Sequence, residues 1–385
     1  RSTLLSLLLI SMFFLGGCSS SSDASIEGPA EITVACDYPD AYQEYADYYQ
    51  LTHEEKKVNL VPFQDMNEEE QAERYTAIKK LLDGENAPDV LFVDLDTMER
   101  LSDEGYLQPV DSFTKDQKDA LDGFVPAITD LIKKKGNGTL YGLPLAFDSV
   151  ILFYNKEMFD EAGLSYPTDQ LTWDELYELE RNFTDESSSE PTYGFSLGFG
   201  YEEYLLVQAA QRGLFLVDDE MKHVTVNTPE WQQLFTEVKD LIDEKIAAPI
   251  INWDELMASG EEFNFFTANP FVTGKAAMTL MDSSELNYFD QIFQMAGDEA
   301  KPFAWDIASL PAQADRPGYG GFIHVPNVLV INKNASNLAL AWDFVSYATG
   351  DELSKLLAKS NYQTSARTAY IPQEGKELNY DALYQ

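Results

Sequence analysis

The chain has 385 residues, of which 26 are Lys or Arg and 66 are Asp or Glu, a formal net charge of −40. So negative a molecule repels phosphate polyanions, which excludes nucleic acid as an ordinary partner; 2 Cys and 3 His are too few for a disulfide framework or a structural zinc cluster, and no metal or cofactor is called for. With 44% hydrophobic and 13% aromatic residues, the chain can fill more than the single core of about 250 residues at which one domain usually stops, so two domains are expected.

The N-terminus comes first. Leu4 to Leu15 is almost wholly apolar yet shorter than the roughly 20 residues of a spanning helix, and it leads into Leu15-Gly16-Gly17-Cys18 and the serines Ser19 to Ser22. Gly16 and Gly17 are small enough for extended backbone to enter a peptidase groove. The segment resembles the lipobox of bacterial lipoproteins, which implies a signal peptide over 1–17, lipidation of Cys18 and a flexible tether over 18–29. A lipid-anchored protein on the extracellular face of a bacterial cell membrane is the expectation, and Cys36, its remaining thiol, reads as a small core residue.

Strands and helices then alternate. Ile32 to Ala35 and Val58 to Phe63 read as short buried strands, with a tyrosine-rich helix at Tyr42 to Tyr49 between them. Asn67 and Glu70 have capping-box spacing for a helix that runs to Leu82 and stops at Gly84. Val90 to Val93 is an unbroken apolar run, as a strand buried on both faces requires. Val150 to Tyr154 is a second such run. Thr172 and Glu175 cap the helix carrying Leu176 and Leu179, and Thr228-Pro229 opens a helix with Trp231, Leu234, Val238, Leu241 and Ile242 on one stripe. Tyr193 to Gly198, Ala276 to Met281, Phe303 to Leu310 and Val325 to Ile331 are further strands, and Ser336 is placed as the cap of a helix through Trp342, Phe344 and Val345.

Several segments together carry a family resemblance: Tyr141-Gly142-Leu143-Pro144-Leu145, Asp148, Leu152 to Phe159, Glu161-Ala162-Gly163-Leu164, Pro167 and Thr172-Trp173-Asp174-Glu175-Leu176. In this order and spacing they resemble the extracellular solute-binding proteins of bacterial ABC importers, family 1, sugar-binding type. Ala87 to Val90 with Asp94, Gly105 to Pro109, Gly274 to Met278 and Ala339 to Val345 extend the likeness over roughly residues 30 to 370. The resemblance implies an α/β, two-lobed periplasmic-binding-protein-like fold (type II), each lobe a sheet flanked by helices. Residues 30–147 with 313–350 would form the N-terminal lobe and 148–312 with 351–385 the C-terminal lobe. The chain would cross near Ala146 to Ser149 and again near Leu310 to Arg316. It implies a monomer that does no chemistry, closes on a carbohydrate and delivers it to the transmembrane permease subunits of an importer.

A carbohydrate site needs aromatic faces for the C–H patches of a sugar ring and fixed carboxylates or amides for its hydroxyls. Open α/β sheets bind ligands beyond strand carboxyl ends, which selects Asp37 and Tyr38, Asp65, and Asp94 in the first lobe. Asp148 falls at the crossing; Tyr201, Asp282 and Trp305 represent the second lobe. Gly320 and Gly321 offer backbone N–H groups, and Arg367 follows Thr364-Ser365, where the family often carries an Arg near the cleft. Asp37, Asp65 and Asp94 serve equally well as helix caps. Trp173 and Trp231 read as core. Two other functions are weighed. Gly194-Phe195-Ser196-Leu197-Gly198 is a formal G-x-S-x-G, with His223 or His324 downstream, which makes a serine hydrolase using Ser196 the rival; against it, Phe199-Gly200-Tyr201 delays the helix that must follow such a serine. A sensor or receptor for a non-sugar solute keeps the fold; the few Arg and Lys near the strand tips disfavour an anionic ligand.

Overall fold

The computed structural model describes residues 30–63, 74–114, 121–185, 190–198, 200–218, 222–250, 258, 264–287, 289–315, 322–357, 364–370 and 378–384. The segments expected to form a signal peptide and tether, with Cys18, the expected Asn67–Glu70 cap, Asp65, Gly320 and Gly321 lie outside the described residues. Two mixed sheets organise the rest.

In the first, β1 (Ala30–Cys36) lies parallel to both β2 (Lys56–Pro62) and β3 (Val90–Val93), with Val34 opposite Leu60 and Val90. The order is β2-β1-β3-β10-β4, where β4 (Gly142–Pro144) and β3 flank the antiparallel β10 (Val328–Ile331). Every residue of β3 and β10 is buried, which is why both read as continuous apolar runs. Helix α1 (Pro39–Thr52) starts at Pro39 and buries Ala46 and Tyr49. The Tyr49 hydroxyl donates to Asp343 at 2.6 Å, and its ring meets Phe344 edge-on, docking α1 on a later helix, Leu338–Ala348. Helices α2 (Arg74–Leu82), α3 (Leu95–Asp103), the short α4 (Asp111–Thr114) and α5 (Pro126–Lys135) complete the first half of this lobe. Cys36 is fully buried, and that burial pushes its thiol up to about 12.

The second sheet is built on β5 (Ala146–Asn155), which pairs antiparallel with β7 (Ala276–Asp282), β8 (Trp305–Ala308), β9 (Ile323–His324) and β11 (Thr364–Ser365); β6 (Tyr193–Ser196) adds in parallel to β7. Alternation along β5 divides its side chains between two cores. Phe147, Ile151 and Phe153 join a cluster continuous with the first lobe, whereas Val150, Leu152 and Tyr154 pack with Phe159, Trp173 and Trp231. That second core is roofed by α6 (Lys156–Ala162), α7 (Trp173–Glu180), α8 (Glu202–Gln211) and α9 (Pro229–Asp243), followed in the chain by α10 (Phe289–Ala296), which packs on the first. Thr172 and Glu175 make a complete capping box, and Thr228 caps α9, which buries Trp231, Leu234, Val238 and Leu241. The cap of α11 (Leu338–Ala348) is Asn337 rather than Ser336: Asn337 accepts from Leu340 N, while the N–H and hydroxyl of Ser336 both donate to buried Asp89.

The chain leaves the first sheet at Leu145 and re-enters it between His324 and Val328. This second passage is later than Leu310–Arg316 because β9 still pairs with Asp148 and Ser149 of β5. A third falls between α12 (Asp351–Leu357) and β11, which returns to Ala146 and Phe147.

Candidate functional site

Strand directions bring the two halves of the site together. Val328 lies opposite Val93 and Pro144, so the carboxyl ends of β1, β3 and β4 share the edge from which the chain passes to the second sheet. In the second sheet Asp282 lies opposite Val150, and Ser196 beside Thr279. The carboxyl ends of β6 and β7 therefore point the same way as the amino end of β5, toward the crossings. At those crossings a cavity of about 170 Å³ is lined by Tyr42, Glu44, Tyr45, Ala146, Pro326 and Asn327, among others.

On the first lobe, Tyr38 is the residue before α1; its side chain makes no capping bond and it is 71% exposed. Asp37 does not cap α1 either. Its two oxygens accept from Arg74 Nε and Nη2 at 2.9 and 2.7 Å, and Arg74 Nη1 donates to Asp94 at 2.8 Å and to Thr97 Oγ1 at 3.0 Å. Asp94 caps α3 through Thr97 N at 2.7 Å. Burial alone would raise the Asp94 carboxyl, but the Thr97 N–H and the Arg74 guanidinium hold it below its ordinary value. One guanidinium thus staples α2 across the tips of β1 and β3.

At the hinge end of the second sheet, register places three polar groups in a row. Asp148 lies opposite His324, and Asp282 lies opposite Val150, two residues along β5 from Asp148; all three side chains share one face. Asp148 Oδ1 is buried without a hydrogen-bond partner. Burial, then the Asp282 carboxylate, raises the Asp148 carboxyl, with His324 opposing. Asp282 is raised too, by partial loss of solvent, again against His324. Tyr201, 41% exposed, precedes α8 in the loop that leaves β6.

Two expected ligand contacts are structural instead. Trp305 pairs with Asn155 at the end of β5 remote from the crossings, is 6% exposed, stacks on Phe153 and meets Phe289 edge-on. An indole has more apolar surface to hide than any other side chain, and here the core takes it. Arg367 is 8% exposed: its Nε donates to Thr349 O, and its Nη1 donates to Asp122 O and Asp351, with the guanidinium 4.1 Å above Phe124. It locks the C-terminal segment to the first lobe.

Ser196 is 1% exposed; its hydroxyl donates to Asn269 Oδ1 at 2.8 Å and accepts from Gly198 N. His223 pairs with Asp218, and His324 sits beside Asp148. The glycines of G-x-S-x-G have architectural reasons. A Cβ on Gly194 would lie 2.1 Å from Glu180 O, and Gly198 has φ +60°. Among the described residues no group of His, Cys, Asp or Glu is arranged to hold a metal ion.

Arg74, Glu44, Tyr42 and Tyr45 were not legible as site residues, and His324 was weighed only as a hydrolase base. Arg74 carries no local signal, being 37 residues from Asp37. His324 could have been found only from the β5–β9 register.

Two α/β lobes joined by several passages, with carboxylates and tyrosines at the strand ends beside them, define a hinged receptor for a small solute. The chain belongs to the bacterial extracellular solute-binding protein family, whose pattern matches residues 37–354. The arabinooligosaccharide-binding protein of Bacillus subtilis is 24% identical over 358 residues, 90% of this chain and 75% of that relative. Among solved structures, the two-lobed fold is shared with an ABC substrate-binding protein from Listeria monocytogenes in complex with cycloalternan, at TM-score 0.54 and 22% identity over 92% of this chain and 82% of the other. It is shared also with a sugar transporter from Rhizobium etli in an open conformation, at TM-score 0.63 and 21% identity over 92% and 87% of the two chains.

Proposed function

We propose that this protein captures a saccharide between its lobes and delivers it unchanged to the permease of an ABC importer, as a monomer held at the membrane through lipidated Cys18. The observation that carries the reading is the unpartnered Asp148 oxygen, at the crossing and on one face with Asp282 and His324. A carboxylate buried without a donor is poised to accept from a sugar hydroxyl. Exposed Tyr38 and Tyr201 at the two strand-end loops supply stacking faces. Asp37 and Asp94, bound to Arg74, shape the first lobe's rim. The relative from Bacillus subtilis makes arabinooligosaccharides a first choice of solute.

The mechanism is population shift. The saccharide contacts both lobes only in the closed form, so it favours that form by its differential affinity. Micromolar binding supplies about 8 kcal/mol, part of which offsets closure, so open and closed forms differ by no more than a few kcal/mol. Calorimetry with arabino- and malto-oligosaccharides, paired with small-angle scattering, tests this. A micromolar Kd with a contracted radius of gyration is expected; heat with no contraction, or no saccharide binding at all, refutes it. Substituting Cys18 by Ala should release the protein from the membrane fraction.

A further inference from the structure

A second cavity, of about 210 Å³, opens in the helical layer of the second lobe, between α7, the end of α8, the middle of α9 and the Ala312–Asp315 segment. None of its lining residues lines the cavity at the crossings. Its walls are held by a polar frame. Trp173 Nε1 donates to Gln211, whose amide donates to Pro311 O; Tyr177 and Gln208 exchange hydrogen bonds; Arg212 Nη2 donates to Gln208 at 2.9 Å and to Glu237 at 2.6 Å. Two donors among the lining residues, Arg212 Nε and Gln313 Nε2, are buried with no acceptor. A native structure seldom leaves two such groups on the lining of one cavity unless something else completes them.

From this frame we infer a second saccharide subsite on the outer layer of this lobe, taking one sugar ring outside the interlobe cleft. The charge balance selects the ligand. Arg212 and Glu237 neutralise one another, and Asp174 and Asp315 remain at the mouth, so a carboxylate or phosphate would be repelled. Hydroxyls serve both sides: they accept from Arg212 and Gln313 and donate to Asp174 and Asp315. Tyr177 contributes an aromatic wall for the C–H face of the ring. The volume is below the roughly 300 Å³ at which pockets for drug-sized ligands begin, which limits the guest to about one ring.

Saturation-transfer NMR on the full chain, with methyl glucoside, methyl mannoside, methyl xyloside and methyl arabinoside as probes, decides the matter. At least one should bind with a millimolar Kd to the wild type and equally to Asp148→Asn, whose lesion lies in the cleft. Gln313→Leu should weaken it at least about tenfold without lowering the melting temperature. Should Gln313→Leu fold poorly, the isosteric Asp174→Asn, at an exposed position, must show the loss. The inference is overturned if no pyranoside or furanoside binds, if binding follows Asp148 and ignores Gln313 and Asp174, or if acetate or phosphate displaces the sugar competitively. Loss of oligosaccharide binding at the cleft alone would leave this subsite untouched, so the two readings fail separately.

Discussion

Asp148→Asn should make the unliganded protein more stable and the receptor worse. The wild-type carboxylate has one oxygen buried without a donor and a second carboxylate, Asp282, on the same face. An amide still sets a polar atom at the buried position, so what the substitution relieves is the half-buried charge and its repulsion by Asp282, about 1 kcal/mol once solvent screening is allowed for. The amide removes the charge at constant shape, so for a chain of 385 residues melting should rise by about 1–2 °C. The sign depends on pH. A carboxyl raised in the folded state contributes stability that is complete below its unfolded value, near 4, and is lost as pH rises through the folded value. The variant's advantage should therefore be present at pH 7 and vanish below about pH 4. Affinity moves the other way. A hydrogen bond from a sugar hydroxyl to a charged acceptor is worth about 1.5–3 kcal/mol, so Kd should rise about 10- to 100-fold. Denaturant melts at pH 7 and pH 3.5, with calorimetry on the best oligosaccharide, measure both halves. A variant that is less stable at pH 7, or that keeps wild-type affinity, would refute the reasoning.

Arg74→Met breaks the staple across Asp37, Asp94 and Thr97 and should cost about 2–3 kcal/mol after allowance for the partners' 32% and 44% side-chain exposure. Because Asp94 is held below its ordinary value, this stabilisation is present above its unfolded value and disappears as pH falls through the folded one; urea melts of wild type and variant should converge at acid pH. Trp305→Ala should lose about 3–5 kcal/mol with the Kd of the folded fraction unchanged, separating a core indole from a stacking one. Arg367→Met should cost about 2–3 kcal/mol by orphaning Thr349 O and Asp122 O, again at constant Kd. Ser196→Ala should lose about 1 kcal/mol, and any trace of ester hydrolysis in the preparation should be the same before and after.

The fold was legible wherever local chemistry dictates it. Apolar runs marked β3, β5 and β10, and Thr172 and Thr228 announced their helices by cap spacing. The site was legible only as far as strand ends go. Asp37, Tyr38, Asp94, Asp148, Tyr201 and Asp282 were placed at or beside strand termini by pattern alone. What decides which of them is free is a partner distant in sequence: Arg74 occupies Asp37 and Asp94, and His324 comes to Asp148 from across β5. Trp305 and Arg367 were misread for the same reason. An aromatic at a strand start, or an arginine after a short strand, looks alike in sequence whether a core or a cleft receives it, and only Phe153, Phe289 and Phe124 settle the matter.

Because odd-numbered positions of β5 feed one core and even-numbered positions the other, this strand tolerates no frame change. Inserting or deleting one residue between Phe147 and Tyr154 would invert both packings at once. Descendants of this chain that acquire new tastes must therefore do so by swapping side chains at fixed addresses such as Asp148, or by remodelling the loops that follow β6 and β7, never by lengthening the spine itself.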